Sequence, residues 1–304
     1  MDLAQLETFL TVAQEGSFSR AAKKLFRTQP AVSLVIRKLE DEIGESLFDR
    51  SARDGMLTDA GRVLEEYAQK LLNTRGEAMA ALEELRHAER GRLSVGANEV
   101  TCLYLLPLLH EFRRNYPRVH IAVQRTLASK LPDAVMDHSV ELGILTYRPD
   151  NPGLRSVVVY RDELVFVVPP AHPLAGSGEV NMRDLGSECF VAHNVPSPYR
   201  HKVLDAFQKR RIPLHMDIEL PTTEAIKKFV IMENGVALIP RITVQTELDR
   251  GELIGLKIHD MNFERKLRIV FRKGAQQSHA AQAFLNVAKA IAGGSGGHYL
   301  FKEE

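Results

Sequence analysis

The stretch TQPAVSLVIRKLEDEIGESLFDR, residues 28–50, determines how the N-terminal part of this chain is interpreted. Its apolar residues recur at helical spacing and form one stripe, made of Val32, Val35, Ile36, Leu39 and Ile43. Gln29, Ser33 and Arg37 lie four residues apart on another side and are all polar. Gly44 is expected to end the helix. The segment therefore predicts an amphipathic helix that presents one compact polar face.

Two short helices are predicted before this segment and a hairpin after it. Residues 3–13 show helical apolar spacing, Gly16 ends that helix, and Ser17 can cap a second helix that runs to Phe26. Residues 47–50 and 56–57 read as two short strands, with Asp54 and Gly55 forming the turn signal between them. Three helices and a hairpin in this order predict a winged helix-turn-helix over residues 1–58.

The polar face of the third helix suits the major groove of DNA. Short donors and acceptors such as Gln29 and Ser33 can reach base edges, and Arg37 can bind guanine or phosphate. Pro30 is tolerated in the first turn of a helix. Arg50 and Arg53 on the hairpin are expected to contact the neighbouring backbone or minor groove. The alternative, a merely solvated helix face, is disfavoured by the preceding helices and the hairpin.

A long helix is predicted over residues 59–90. Its apolar residues fall near heptad positions, and the expected dimer seam consists of Leu64, Tyr67, Leu71, Ala78 and Leu85. The stripe is too narrow for a globular core, so a dimer interface is favoured over packing on the helix's own domain.

Beyond Gly91 the pattern alternates between strands and helices, which predicts an α/β domain with parallel strands. Strands are expected at 93–97, 120–125, 142–145, 164–168, 190–192, 215–220, 236–239 and 267–271. Ligands in open α/β sheets bind outside the carboxyl ends of the strands. The last segment, 293–304, begins Gly-Gly-Ser-Gly-Gly and is predicted to be a flexible tail.

Composition places the chain among ordinary globular proteins. It has 304 residues, of which 44% are hydrophobic and 26% charged, with a net charge of +1. No apolar run reaches the roughly 20 residues of a membrane helix, and the start lacks the features of a signal peptide, so we expect a cytoplasmic location. The cysteine and histidine spacings predict neither a disulfide framework nor a metal site, and no cofactor is expected.

The quoted residues carry a resemblance to a known family. Residues 1–62, through "LETFLTVAQEGSFSRAAKKLFRTQPAVSLVIRKLEDEIGESLFDR" and "LTDAG", resemble the DNA-binding domain of LysR-type transcriptional regulators. The segments "LLPLLHEFRRNYP", "ELGIL", "DELVFVVPPAHPLA" and "NGVALIP" are similar to that family's effector-binding domain. The resemblance implies the fold of type 2 periplasmic binding proteins for residues 91–292, with subdomain I at 91–161 and 267–292 and subdomain II at 162–266.

The resemblance also implies site residues and partners. DNA contacts are expected from Ser17, Thr28, Gln29, Pro30, Ser33, Arg37, Arg50 and Arg53. Effector contacts between the subdomains are expected from Asn98, Glu99, Val100, Thr101, Thr126, Ser129, His193, Asn194, Thr222 and Thr223. Arg200 is added to them because of its position near Ser197 at the start of a predicted helix, not because of the resemblance. The implied partners are double-stranded promoter DNA, a small-molecule effector and further copies of the chain in a tetramer, with RNA polymerase as a further candidate.

The chemistry of the expected effector site favours an anion, because several helices would aim free N–H groups at the cleft. A small carboxylate fits, with His193 or Arg200 adding charge, although the hydroxyl groups could serve only as helix caps. Glu99 departs from this pattern. Its carboxylate could pair with a basic residue or favour a cationic or hydroxylated ligand.

Three alternatives to a ligand-controlled regulator remain at this stage. A redox sensor would use Cys102 or Cys189, although buried thiols acting as small hydrophobic groups are favoured, and Glu188 disfavours a thiolate at Cys189. A regulator without any effector would keep only the DNA binding. An enzyme or transport-type binding protein would use the α/β part alone; the N-terminal domain and the absence of a catalytic motif argue against it. We therefore expect a transcriptional regulator that is not an enzyme.

Overall fold

The structure is a computed structural model that describes residues 1–49, 56–86, 91–195, 197–259, 261, 264–294 and 298–304. Contacts divide the chain into two units. The first comprises Met1–Arg92 with Asp133–Val140, and the second comprises Leu93–Pro132 with Glu141–Glu304.

The N-terminal segment of the first unit contains four helices in the part that the structure describes: α1 (Leu3–Glu15), α2 (Phe18–Lys24), α3 (Gln29–Ile43) and α4 (Asp59–Arg86). Their inward side chains form one core, which includes Leu6, Phe9, Val32, Ile36, Leu39 and Phe48. The apolar stripe of α3 is thereby buried, except that Val35 is half-buried and Ile43 is exposed.

The turns of the first unit match the predicted glycine and cap positions, except at the end of α2. Gly16 adopts a left-handed conformation (φ 56°), which ends α1, and Ser17 caps α2. The second helix ends at Lys24, two residues before the predicted end, because Phe26 also has a positive φ of 54° that a helix does not allow. The Phe26 side chain is almost fully exposed.

The base of the wing is present, although residues 50–55, and with them the predicted turn, lie outside the described residues. Phe48 and Leu57 form an antiparallel bridge, and the Asp49 N–H donates to the Met56 carbonyl at 2.8 Å. Thr58 caps α4, since its hydroxyl accepts from the Gly61 N–H at 3.0 Å. A Cβ atom at Gly61 would lie 2.2 Å from the Leu47 carbonyl oxygen, so this close helix–wing contact requires glycine.

The second unit contains a mixed sheet and surrounding helices. The strands are β1 (Arg92–Ala97), β2 (His120–Arg125), β3 (Leu142–Leu145), β4 (Leu154–Val168), β5 (Glu179–Val180), β6 (Cys189–His193), β7 (His215–Leu220), β8 (Ala237–Pro240), β9 (Ile254–Ile258), β10 (Glu264–Arg272) and β11 (Tyr299–Glu303). The helices are α5 (Glu99–Asn115), α7 (Pro198–Lys209), α8 (Thr223–Ile231), α9 (Arg241–Asp249) and α10 (His279–Gly294). Helix α6 (Leu131–Met136) begins in this unit, and its residues from Asp133 onward belong to the first unit.

The main sheet has the strand order β2-β1-β3-β10-β4-β9-β5, and β6 pairs with β7 in a separate parallel pair. The prediction of parallel strands was correct for β1 with β3, β5 with β9 and β6 with β7, and wrong for the pairs that β4 and β10 form. Strands β4 and β10 run antiparallel to each other, and β10 is antiparallel to β3.

Strand β4 joins the two parts of the sheet. The sequence predicted only 164–168, but the strand begins at Leu154 and extends over 15 residues. Its first part pairs with β10, and its second part pairs with β8 and β9. The change of partners falls at Glu163 and Leu164, which places a crossover between two subdomains at this point.

The C-terminal segment was expected to be a flexible tail, and this expectation was wrong for the residues described there. Helix α10 continues to Gly294, and residues 299–303 form β11, which pairs antiparallel with β4. Half-buried Tyr299 and Phe301 pack against the core of subdomain I, so apolar contact and strand pairing both order the segment.

Candidate functional site

The polar face of α3 lies on the surface of the first unit. Thr28, Gln29, Pro30 and Arg37 are exposed, and Ser33 is half-buried. The Gln29 side-chain amide donates to the Ser33 hydroxyl at 3.0 Å, so these two predicted DNA contacts are neighbours. The helix thus offers a short polar surface with a cation one turn further on, which suits readout in a major groove.

The other expected DNA contacts have different surroundings. Ser17 accepts from the Arg20 N–H at 3.5 Å and serves as the cap of α2. Arg50 and Arg53 lie outside the described residues. A feature that the sequence did not suggest is Glu40, which is buried on α3 and accepts hydrogen bonds from the N–H groups of Leu47 and Phe48.

The expected dimer seam on α4 changes its surroundings along the helix. Leu64 is half-buried and packs against the core of the first unit, as do buried Ala68 and half-buried Leu72, so its contacts within its own unit were not expected. Tyr67 and Leu71 are 59% and 45% exposed. Ala78 is also exposed. The side chain of Leu85 is outside the described residues.

Exposed apolar side chains mark the outward side of α4. Val63, Met79 and Leu82 are each more than half exposed, and with Tyr67 and Leu71 they make up the outward row, the exposed apolar side chains along α4. An apolar row of this kind along a helix is typical of an interface with another chain.

In the second unit, Asn98 and Thr101 form a capping box at the start of α5. The Asn98 side chain accepts from the Thr101 N–H at 2.8 Å, and the Thr101 hydroxyl accepts from the Asn98 N–H at 2.9 Å. Thr101 is only 1% exposed. The expectation that Thr101 touches an effector is therefore corrected, because its hydroxyl is used within the cap. Val100 is half-buried against the core of subdomain I, and Glu99 is exposed.

Two further helix starts carry caps at the expected positions. Ser197 accepts from the Arg200 N–H at the start of α7, and Thr222 accepts from the Ala225 N–H at the start of α8, both at 3.1 Å. Thr223 is buried, so its side chain is not available to a ligand. Helix α6 begins at Leu131, and Ser129 is an exposed residue of the preceding turn rather than its cap.

The ends of the strands bring several expected residues near one another. The Thr126 N–H donates to the carbonyl of Ala97, the last residue of β1. Exposed Asn194 follows β6, and its N–H donates to the carbonyl of Leu220, the last residue of β7. The residues expected to contact an effector at these positions therefore lie at the carboxyl ends of strands.

His193, Glu99 and Arg200 are the titratable or charged residues among the expected effector contacts. Burial lowers the pKa of His193 below its usual 6.5, the Glu99 charge acts in the opposite direction, and the Arg200 charge lowers it further. Arg200 donates to the His193 carbonyl at 2.8 Å and forms an ion pair with Glu219. Since Glu219 already neutralises much of the Arg200 charge, that cation is less available to an anion than the sequence suggested.

A buried network below the strand ends was missed by the sequence analysis. The Tyr199 hydroxyl donates to the Thr146 carbonyl at 3.3 Å, and the Arg265 guanidinium lies 5.0 Å from the Tyr199 ring centre. Arg265 also lies 3.5 Å from Asp162, which accepts from the Tyr104 hydroxyl. These residues connect α5 and α7 with strands β4 and β10. Burial raises the pKa of Asp162, against the opposing effects of Tyr104 and Arg265.

The cysteines give little support to redox sensing. Burial raises the pKa of the Cys102 thiol, which lowers its thiolate fraction and its reactivity. Both cysteines are half-buried, and neither forms a disulfide.

Two family models match the chain. The model described as "Bacterial regulatory helix-turn-helix protein, lysR family" matches residues 3–62, and "LysR substrate binding domain" matches residues 86–292. The chain belongs to the LysR family. This LysR-type protein is a DNA-binding transcriptional regulator with an effector-binding domain, as the resemblance implied. No described helix of the regulator is long and apolar enough to span a bilayer.

Relatives and solved structures agree with this assignment. The regulator is 30% identical to the RuBisCO operon transcriptional regulator of Allochromatium vinosum, over 93% of this chain and 94% of the relative. It is 33% identical to a probable RuBisCO transcriptional regulator of Trichormus variabilis, over 93% and 86% of the two chains. Full-length CbnR in complex with its target DNA has a TM-score of 0.75 at 19% identity, covering 96% of this chain and 100% of that one.

Proposed function

We propose that this LysR-type regulator acts in the cytoplasm, as a homotetramer without enzymatic activity, and controls transcription in response to a small hydroxylated anion. The observation that supports the effector class is the convergence at strand ends of capped helix starts with His193 and Glu99. Helix starts present free N–H groups and a positive dipole end, which favour a carboxylate or phosphate.

Glu99 narrows the choice of effector. It is exposed, and its charge reaches His193 across the site. A carboxylate repels a simple anion but accepts hydrogen bonds from hydroxyl groups. The amides and Glu99 together therefore suit a molecule with both an acidic group and hydroxyl groups, such as a hydroxy acid or a sugar phosphate.

A thermal-shift titration tests the effector class. Phosphorylated sugars and hydroxy acids should raise the melting temperature of the wild-type chain, since a ligand that binds only the folded state stabilises it. Phosphate and acetate, which lack hydroxyl groups, should act at much higher concentrations. Glu99→Gln should reduce this discrimination, and Glu233→Gln, which changes an exposed glutamate after α8, serves as the control. If no hydroxylated anion shifts the melting temperature, the proposed class is wrong.

The names of the relatives suggest a target. Relatives 30–33% identical to this chain are named as regulators of RuBisCO operons. We propose that the regulator binds a promoter of this kind and contacts RNA polymerase once it is bound to the DNA. A gel-shift titration should show saturable binding to a RuBisCO promoter fragment from the same genome at concentrations where a shuffled fragment is unbound. Equal binding of both fragments would contradict this target.

A further inference from the structure

The C-terminal segment 298–304 lies beyond residue 292, where the family match ends, yet it is docked on subdomain I. Tyr299 pairs with Tyr160 of β4, and Lys302 and Glu303 pair with Val158 and Val157. The Arg161 N–H donates to the His298 carbonyl at 2.9 Å, and the Glu304 N–H donates to the Ser156 carbonyl at 3.1 Å. The segment therefore adds a strand to β4, in the way that bound peptides extend a sheet.

Side chains give this docking its specificity. The Tyr299 ring lies edge-on against Tyr160, with centres 4.7 Å apart, and Tyr160 lies edge-on against Tyr104 at 5.0 Å. The Tyr299 hydroxyl donates to the Tyr104 carbonyl at 3.2 Å. At the other end, the Glu304 carboxylate accepts from Arg268 at 3.0 Å. An aromatic residue and a carboxylate five positions apart are thus recognised separately.

The docked segment is held weakly compared with the sheet that it joins. Its seven residues are all half-buried or exposed, whereas much of β4 is fully buried. Gly293 and Gly294, before the segment, have open space where a side chain would be. A segment with few buried contacts opens at a lower free energy than the core, so it can leave without global unfolding.

The contacts of the segment lead toward the effector site. Arg268, the partner of Glu304, also donates to the Thr146 carbonyl at 3.4 Å, and Tyr199 of subdomain II donates to the same carbonyl. Tyr104, whose carbonyl accepts from the Tyr299 hydroxyl, belongs to helix α5, which begins at the Asn98 cap. Docking of the segment therefore restrains a crossover strand, α5 and the residues below the strand ends.

We propose that residues 298–304 are a displaceable intrachain strand, and that the groove formed by Ser156–Tyr160, Tyr104 and Arg268 is a peptide-binding site that this strand occupies. Occupancy of the groove restrains the crossover between the subdomains. The site takes an extended peptide with a tyrosine near its start and a glutamate five residues later. The groove itself does not depend on the proposed effector, although the regulatory consequence rests on the proposed function.

Hydrogen exchange on the full-length chain tests whether the strand opens locally. In the wild type, amides of 298–304 should exchange faster than those of β4 that pair with β8 and β9. Tyr299→Ala should accelerate exchange at 298–304 and at Arg161 by about tenfold, the effect expected from losing an aromatic contact. The half of β4 after Glu163 should be unchanged. Equal protection of the segment and the core would overturn the proposal, as would acceleration throughout the chain.

A peptide added in trans tests the groove directly. A labelled peptide HYLFKEE, the sequence of residues 298–304, should bind saturably to the full-length Tyr299→Ala chain and at least tenfold more weakly to the wild type, whose groove is filled. The same peptide with alanine in place of tyrosine should bind the variant about tenfold more weakly. Absence of binding to the variant would overturn the proposal.

Hydrogen exchange at several protein concentrations distinguishes docking within one chain from docking on a second copy. Protection of residues 298–304 that rises with protein concentration would overturn the intrachain assignment. Neither experiment requires an effector, so a wrong effector class leaves both results interpretable.

Discussion

Glu40 accepts a hydrogen bond from the backbone N–H of Leu47 at 2.7 Å and a second from Phe48 at 3.3 Å. The carboxylate is buried on α3, whose other face is the proposed DNA-reading surface. The recognition helix and the base of the wing are therefore tied together by one side chain, and their relative placement depends on it.

Replacing Glu40 should damage this connection. Glu40→Ala leaves buried N–H groups without their acceptor, which we expect to lower the free energy of unfolding of the first unit by about 1–3 kcal/mol. Glu40→Gln keeps one acceptor oxygen and should cost less. Urea unfolding of both variants measures the effect, with Asp41→Ala, at an exposed position beside it, as the control. Equal stability of the two alanine variants would contradict the proposed role.

Arg37 should contribute to DNA recognition, because it extends the exposed face that Gln29 and Ser33 begin. Arg37→Ala should weaken binding to the promoter fragment by about 1–3 kcal/mol if it reads a base, and the loss should be smaller on unrelated DNA. Gel-shift titrations on both DNAs measure this difference. A loss equal on both DNAs would indicate a phosphate contact, and unchanged binding would remove Arg37 from the interface.

The helix-turn-helix could be predicted in detail because its signals are local. The apolar stripe of α3, Gly16 and Ser17 act within a few residues, and each is found in the expected role. Glu40 was missed because a glutamate on a helix face gives no sign of burial until the wing is placed against it. The same limit applies to α4, since heptad spacing alone does not show that Leu64 packs against the core of its own unit.

In the effector-binding domain, the features that could not be predicted depend on contacts between residues that are distant in the sequence. The run Arg161, Asp162 and Glu163 interrupts the apolar pattern of β4 and hides a continuous strand. Asp162 is nevertheless buried, because Tyr104 and Arg265 supply its partners from distant parts of the chain. The C-terminal strand was missed because its glycine-rich approach predicts a linker, whereas pairing with β4 orders the residues that follow.

The outward row on α4 should hold two copies of the regulator together. Leu71→Glu places a charge in this row, where burial against a partner is costly. Sedimentation velocity should then show smaller species than the wild type at the same concentration. Helicity measured by circular dichroism should not change, because Leu71 does not belong to the core of its own unit. An intact oligomer at low concentration would place the interface elsewhere.

His193 should make stability depend on pH. Burial lowers its pKa in the folded state below 6.5, so the unfolded state binds a proton first as the pH falls. The neutral side chain therefore contributes stability fully above pH 6.5, and this contribution is lost as the pH falls toward the folded-state pKa. The melting temperature should fall less between pH 7.5 and 5.5 in His193→Gln than in the wild type. An equal fall in both proteins would contradict the assignment.

Variants of Thr101 test whether the cap at the start of α5 supports the proposed effector site. Its hydroxyl accepts from the Asn98 N–H at 2.9 Å, and the side chain is almost completely buried. Thr101→Val has nearly the same shape without the hydroxyl, so it should lower the free energy of unfolding by about 1 kcal/mol, as loss of a helix cap does. Thr101→Ser keeps the hydroxyl and should retain the cap.

We expect the valine variant to lose most of the thermal shift that hydroxylated anions produce, because the start of α5 is no longer fixed. Its affinity for the promoter fragment should stay within about twofold of the wild type, since the DNA-reading helix belongs to the other unit. Urea unfolding, thermal shift and gel shift on the two variants measure these three quantities. If the valine variant keeps both its stability and its ligand response, the capping box does not position the effector site.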